Sequence, residues 1–94
     1  MFDKAKTLYE LKKIQSALAK ETIEIETGDG AVKVMINGEQ KIKKIELNPE
    51  LIDGDYSKLE KWLESAVTQA ITRSQQLAAA KMKSVAGGLG LPGL

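Results

Sequence analysis

The stretch Gly30-Ala31-Val32-Lys33-Val34-Met35-Ile36-Asn37-Gly38, with its continuation Ile42-Lys43-Lys44-Ile45-Glu46-Leu47-Asn48-Pro49, decides how this chain folds. Val32, Val34 and Ile36 alternate with Lys33 and Met35, a period of two that sets apolar side chains on one face of a strand over residues 31–36. Asn37-Gly38 is the strongest short hairpin signal in the chain. In the next strand, residues 40–47, Ile42 is out of phase with Ile45 and Leu47. One extra residue reconciles them, so a β-bulge is expected near Lys43-Lys44. Asn48-Pro49 then ends the strand, because proline has no N–H for a ladder. Working upstream, Ile23 and Ile25 alternate with Thr22, Glu24 and Glu26, and Gly28-Asp29-Gly30 supplies residues that tolerate positive φ. Three antiparallel strands follow from this reading.

On either side the period changes to that of a helix. Over residues 3–20, Leu8, Leu11, Ile14 and Leu18 fall within about 120° of one another. Lys6, Lys13 and Lys20 line the opposite side with Lys12 and Tyr9 nearby, and Asp3 stands where a cap is wanted. After a turn at Asp53-Gly54, Asp55 caps a helix expected over residues 56–83. Leu59, Trp62, Leu63, Ala66, Val67 and Ala70 form one apolar stripe, which then runs on to Arg73, Leu77 and Lys81. A charged face is not buried without partners. The second half of this helix is therefore expected to project beyond the sheet or to meet another molecule. Residues 87–94 are rich in glycine and leucine and are expected to form a flexible tail outside a single domain of residues 1–86. The fold class is α+β: helix, three-stranded antiparallel sheet, long helix, with the helices on one sheet face.

Composition narrows the chemistry. A chain of 94 residues makes one small domain with little stability to spare, which pairing with a second copy would relieve. The absence of cysteine removes disulfides and thiolate metal sites and fits a reducing compartment. The absence of histidine removes the commonest general base and zinc ligand. No run approaches the roughly 20 apolar residues of a membrane span, and Lys12 and Lys13 interrupt the region where a signal peptide needs an apolar core. A soluble cytoplasmic protein is expected. The net charge of +1 conceals a division. Residues 1–20 carry five lysines against two acids, residues 21–64 six lysines against eleven acids, and residues 65–94 three cations against none. Basic ends around an acidic middle point to a polyanionic partner held by the ends.

Each candidate residue has a plain alternative. The lysines of the first helix serve either as a solvated face or as a strip of phosphate contacts. Lys81 and Lys83 suit a helix C-terminus on dipole grounds alone; Arg73, well inside the helix, does not, and reads as a contact to nucleic acid or to an acid of another subunit. Lys43 and Lys44 are explained by protection of a sheet edge. Glu24 and Glu26 form a solvated face, and Asp53 and Asp55 belong to the turn and cap, so no catalytic carboxylate pair is indicated. Trp62 and Tyr56 fit a core or a subunit contact. Four aromatic residues without basic interleaving argue against single-strand binding.

These residues resemble the YbaB/EbfC family of bacterial nucleoid-associated proteins. The resemblance rests on the hairpin Gly30–Gly38, on Ile42-Lys43-Lys44-Ile45-Glu46-Leu47-Asn48-Pro49-Glu50-Leu51, on Lys81-Met82-Lys83-Ser84-Val85, on Gly87-Gly88-Leu89 and Leu91-Pro92-Gly93, and on the opening Met1-Phe2. It implies a homodimer whose protruding helices grip DNA like tweezers. One departure is that Lys4 follows almost directly on Met1-Phe2, where family members carry a longer lead, which implies a shorter grip.

The expectation is thus a non-enzymatic, nucleoid-associated binder of double-stranded DNA with little base readout, since no helix-turn-helix or zinc-finger pattern presents side chains to bases. Its DNA contacts are expected at Lys6, Lys12, Lys13, Lys20, Arg73, Lys81 and Lys83, and its dimer contact along Leu59, Trp62, Leu63, Ala66 and Ala70. No cofactor, metal, membrane or small-molecule substrate is expected. The alternative is a protein-interaction adaptor dimer that does not touch DNA.

Overall fold

The computed structural model describes residues 4–88. Helix α1 (Lys4–Lys20) leads into strands β1 (Thr22–Thr27), β2 (Val32–Asn37) and β3 (Ile42–Leu47). A single turn, α2 (Pro49–Ile52), precedes the long helix α3 (Tyr56–Gly88). This is the α+β order that the sequence indicates; Asp3, the expected cap of α1, lies outside the described residues.

The strands form one antiparallel sheet in the order β1-β2-β3. On one side Thr22 faces Asn37 and Thr27 faces Val32. On the other, Val34 faces Ile45 and Met35 faces Lys44, but Ile36 faces Ile42. Lys43 is left without a partner, which is the bulge that the phase of the apolar residues requires.

The two hairpins close differently. Gly28, Asp29 and Gly30 all have positive φ, and the Ala31 amide donates to the Gly28 carbonyl at 3.1 Å. At the second turn the Asn37 amide donates to the Lys41 carbonyl at 2.9 Å and the Gln40 amide to that of Asn37 at 3.3 Å. The loop is therefore three residues long, and its left-handed position falls on Gln40 (φ 62°). Gly38 has another reason to be glycine: a Cβ there would lie 2.8 Å from Leu18 Cδ2 and from the Leu18 carbonyl oxygen.

Helix α2 replaces the plain turn expected before Asp55. Asn48 Oδ1 accepts the Glu50 amide at 3.1 Å, Pro49 fills the first turn, and Asp53 stops the helix in the left-handed region. Asp55 Oδ1 accepts the Lys58 amide at 3.2 Å, the cap expected of it. At its far end α3 runs through Gly87 and Gly88, which the sequence reading assigned to the tail. Glycine is tolerated at a helix C-terminus, where few later residues depend on its hydrogen bonds. The other residues of the expected tail, 89–94, lie outside the described residues.

Helix α3 packs along β1 and β2. Ala66 and Ala70 are fully buried against Ile25, Val32, Val34 and Ile36, flanked by Leu59, Trp62, Leu63 and Val67. Thr27 Oγ1 donates to the Trp62 carbonyl at 2.8 Å and fastens the helix to the end of β1. β3 presents Ile42, Ile45 and Leu47 to the same side, yet they are 42%, 44% and 45% exposed. Helix α1 meets β2 and α3 instead of lying across the sheet face, so one helix covers the sheet where two were expected. The outer sheet face is ionic: Lys33 Nζ lies 3.6 Å from Glu24 and 3.5 Å from Glu26, and Lys44 lies 2.9 Å from Glu46.

Glycine at position 28 is held by two constraints, and they are separable. Its φ is +63°, and a Cβ there would meet Trp62 Cδ2 at 2.5 Å. Gly30, at φ +95°, has open space around it. Gly30→Ala is expected to cost about 1–2 kcal/mol in urea unfolding from backbone strain alone. Gly28→Ala is expected to cost roughly 1–3 kcal/mol more, from overpacking against Trp62.

The acidic neighbours Glu24 and Glu26 hold the Lys33 pKa above its ordinary value of 10.5, and the hydrogen bond and charge of Lys44 hold Glu46 below 4.5. Stabilisation from Lys33 is present in full below pH 10.5 and is lost as pH rises through the higher folded-state value. That from Glu46 is present above pH 4.5 and is lost as pH falls through the lower folded-state value. With no histidine or cysteine in the chain, the urea midpoint is expected to be flat from about pH 5.5 to 9 and to fall outside that range.

Candidate nucleic-acid interface

Two basic elements, α1 and the far half of α3, are attached to the same turn of the sheet. The Gly38 amide donates to the Leu18 carbonyl at 2.8 Å, and Asn37 Nδ2 to that of Ala19 at 3.4 Å, which fixes the last turn of α1. Ser74 Oγ donates to the Asn37 carbonyl at 2.7 Å and accepts the Gln40 amide at 3.0 Å, which fixes the middle of α3. Asn37 Oδ1 accepts the amides of Glu39 and Lys41 at 2.9 and 3.0 Å and holds the turn itself. Asn37 and Ser74 are both buried, and among the described residues no buried side-chain polar atom lacks a partner.

Ser74 also corrects the reading of α3. Ala66, Ala70 and Ser74, four residues apart, are all fully buried. The buried line passes through Ser74, and Arg73, which the projected stripe placed inward, is exposed. Beyond Ser74 the helix continues about 21 Å to Gly88, past the end of the core. The molecule is accordingly long, 62 × 22 × 14 Å. On α1, Ile14 and Leu18 are buried, whereas Leu8 and Tyr9, further from the shared turn, are exposed.

The cations are distributed unevenly on this frame. Lys12, Lys13 and Lys20 line one shallow groove on α1 with Tyr9, Ser16 and Ala17. Lys6, one heptad before Lys13, is exposed on the same helix. On α3 the three cations do not converge. Lys81 lies about 20° from Ser74 around the helix, is half-buried, and comes within 3.9 Å of Glu21. Arg73 and Lys83 are exposed, about 80° apart and about 15 Å apart along the axis. The structure thus gathers the α1 lysines into a strip and spreads the α3 cations along an arm. Tyr9, which lines the same groove, joins the candidates.

Of the stripe expected at a subunit contact, Ala66 and Ala70 are spent in the subunit's own core. Leu59, Trp62 and Leu63 are half-buried and keep an outer flank. Among the described residues no three metal-ligating side chains gather, and no helix is long and apolar enough to cross a membrane.

The profile of the YbaB/EbfC DNA-binding family matches residues 1–89. The chain belongs to this family. A nucleoid-associated protein of Thermoanaerobacter pseudethanolicus is 38% identical over 86 residues, covering 90% of this chain and 78% of that one. Another, from Ruminiclostridium cellulolyticum, is 37% identical over 87 residues, covering 90% and 76%. An uncharacterized Helicobacter pylori protein of known crystal structure shares the fold, with a TM-score of 0.68 at 14% identity over 81% of this chain and 89% of that one. The family resemblance read from the hairpin and the closing residues is therefore borne out.

The shared turn gives this family member a testable joint. Ser74→Ala removes the donor to the Asn37 carbonyl and the acceptor of the Gln40 amide, both in a buried setting. The expected loss is about 1–3 kcal/mol in chemical denaturation. An exposed control, Ser65→Ala, bonded to Gln69, is expected to change stability by less than about 0.5 kcal/mol.

Proposed function

We propose that this chain binds duplex DNA as a homodimer with little direct base readout and contributes to nucleoid organisation and gene regulation in a bacterial cytoplasm. The observation that carries this reading is the strip of Lys12, Lys13 and Lys20 on α1, standing beside an α3 arm that bears Arg73, Lys81 and Lys83. Lys6 extends the strip. Lysines on a helix suit phosphates, which position a protein on DNA without reading its sequence. Among the described residues no element is presented in the manner of a recognition helix in a helix-turn-helix. The family's description as DNA-binding and the relatives' names as nucleoid-associated proteins support the same reading. Pairing two copies doubles the phosphate contacts and converts two weak sites into one stronger one. In the dimer, the outer flanks of Leu59, Trp62 and Leu63 lie at the contact, above the buried Ala66 and Ala70.

Duplex affinity measured across salt concentrations tests the reading. Log K is expected to fall linearly with log salt, by about 0.9 per phosphate contacted. Lys12→Ala/Lys13→Ala/Lys20→Ala and Arg73→Ala/Lys81→Ala/Lys83→Ala should each lower that slope by roughly one per contact removed. Two unrelated duplexes of equal length should bind within a few-fold of each other. Undetectable binding at low salt would reject the proposal in favour of the protein-interaction adaptor.

A further inference from the structure

The roots of both basic elements meet at residues 37–40. On the α1 side, the Leu18 carbonyl accepts the Gly38 amide at 2.8 Å and the Ala19 carbonyl accepts Asn37 Nδ2 at 3.4 Å. On the α3 side, Ser74 Oγ bridges the Asn37 carbonyl and the Gln40 amide, at 2.7 and 3.0 Å. Asn37 is 2% exposed and Ser74 is fully buried, so water does not compete for these bonds. Gly38 leaves α1 no slack. Its φ is not positive, yet a Cβ there would stand 2.8 Å from the Leu18 carbonyl oxygen. Lys81, 3.9 Å from Glu21, adds a weaker link between the arm and the corner that follows α1.

We infer that Asn37, Gly38 and Ser74 are positioning residues for DNA binding, which set the angle between the α1 lysine strip and the α3 arm so that both reach one duplex together. The inference rests on the DNA reading proposed above and adds to it residues that carry no charge. Leverage is the physical reason. Lys6 stands about 18 Å along α1 from Leu18, and Lys83 about 14 Å along α3 from Ser74. A tilt of about 20° at the root of α1 moves its backbone at Lys6 by roughly 6 Å. An ammonium holds a phosphate oxygen at about 2.8 Å, so a tilt of that size takes the cations of one element out of register with those of the other. A buried anchor also orders both elements before DNA arrives, and the cost of ordering them is then not subtracted from the affinity. Cations decide how many phosphates are contacted; these three residues decide how well the same cations are placed.

Duplex and single-strand affinities of the full chain, measured across salt concentrations, test the assignment. Ser74→Ala and Gly38→Ala keep every charge, and each acts on one anchor. The first frees α3 from the turn; the second drives a methyl group against Leu18. Each is expected to lower duplex affinity roughly ten-fold at every salt concentration, with the slope of log K against log salt unchanged. A single-stranded oligonucleotide with the same number of phosphates is flexible and follows displaced cations, so its affinity at low salt should change by less than about two-fold. Val32→Ala, at the other end of β2 from the turn, opens the core instead and should leave both affinities at wild-type values. Far-UV circular dichroism at the assay temperature checks that each variant is folded. In wild type, amide hydrogen exchange at Gly38 and Gln40 should be slow without DNA, which reports the anchor independently of any variant.

Folded Ser74→Ala and Gly38→Ala that bind duplex as wild type does overturn the assignment. Equal losses on duplex and single strand overturn it too, as does rapid exchange at Gly38 and Gln40 in wild type. A wild type that binds no duplex at low salt rejects the DNA reading itself, and this inference falls with it.

Discussion

An α-helix is about 10 Å across with its side chains, whereas three strands at about 4.8 Å spacing, each with its own width, spread further. One helix therefore covers two strands of this sheet and leaves the third open. α3 lies along β1 and β2, closes over Ile25, Val32, Val34 and Ile36, and stops short of β3. The alanines at 66 and 70 follow from this close packing, since small side chains let the helix approach the strands. The uncovered row Ile42, Ile45, Leu47 is the other consequence of the same mismatch.

Length is the other quantity the sheet does not absorb. A strand of six residues extends about 20 Å, and α3, at 33 residues, about 50 Å. The excess emerges beyond the turn between β2 and β3, where Ser74 marks the last buried contact of helix with sheet. An isolated helical arm is marginal in water. Here it is propagated from a packed first half, and α1 rests beside it with Ile14 and Leu18 buried. The Asn37–Gly38 turn fixes both helices through hydrogen bonds to one short segment, so the separation of the two basic surfaces is set by backbone geometry and not by flexible side chains.

Much of this was legible in the sequence because it is written in short-range chemistry. The period of two, the phase slip at Lys43, the proline after Asn48 and the cap at Asp55 each act within a few residues of where they stand. Arg73 and Ser74 show where that legibility ends. Around α3 they lie about 50° on either side of the centre of the apolar stripe, so helical geometry does not choose between them. The choice is made by a turn more than thirty residues earlier, where the Asn37 carbonyl accepts the Ser74 hydroxyl and the Gln40 amide donates to its oxygen. The same limit applies to Ala66 and Ala70: periodicity shows a stripe and is silent on whether its own sheet or another subunit covers it. The exposure of β3 was hidden for a related reason, since its alternation is that of a covered strand.

Charge is sorted along the same lines as packing. On the outer sheet face Lys33 and Lys44 offset all but one of the charges of Glu24, Glu26 and Glu46, so that face offers no attraction to a distant polyanion. The acids around α2 stand at the opposite end of the sheet from the α1–α3 junction. Uncompensated lysine is concentrated at Lys12, Lys13 and Lys20, where the helix carries no acid on the groove they line. A phosphate backbone approaching this molecule thus meets repulsion at one end and attraction at the other. On the proposed reading the near-zero net charge of the chain is no obstacle to DNA binding, because screening over about 8–10 Å makes the local arm, and not the whole-molecule sum, the charge that a phosphate experiences.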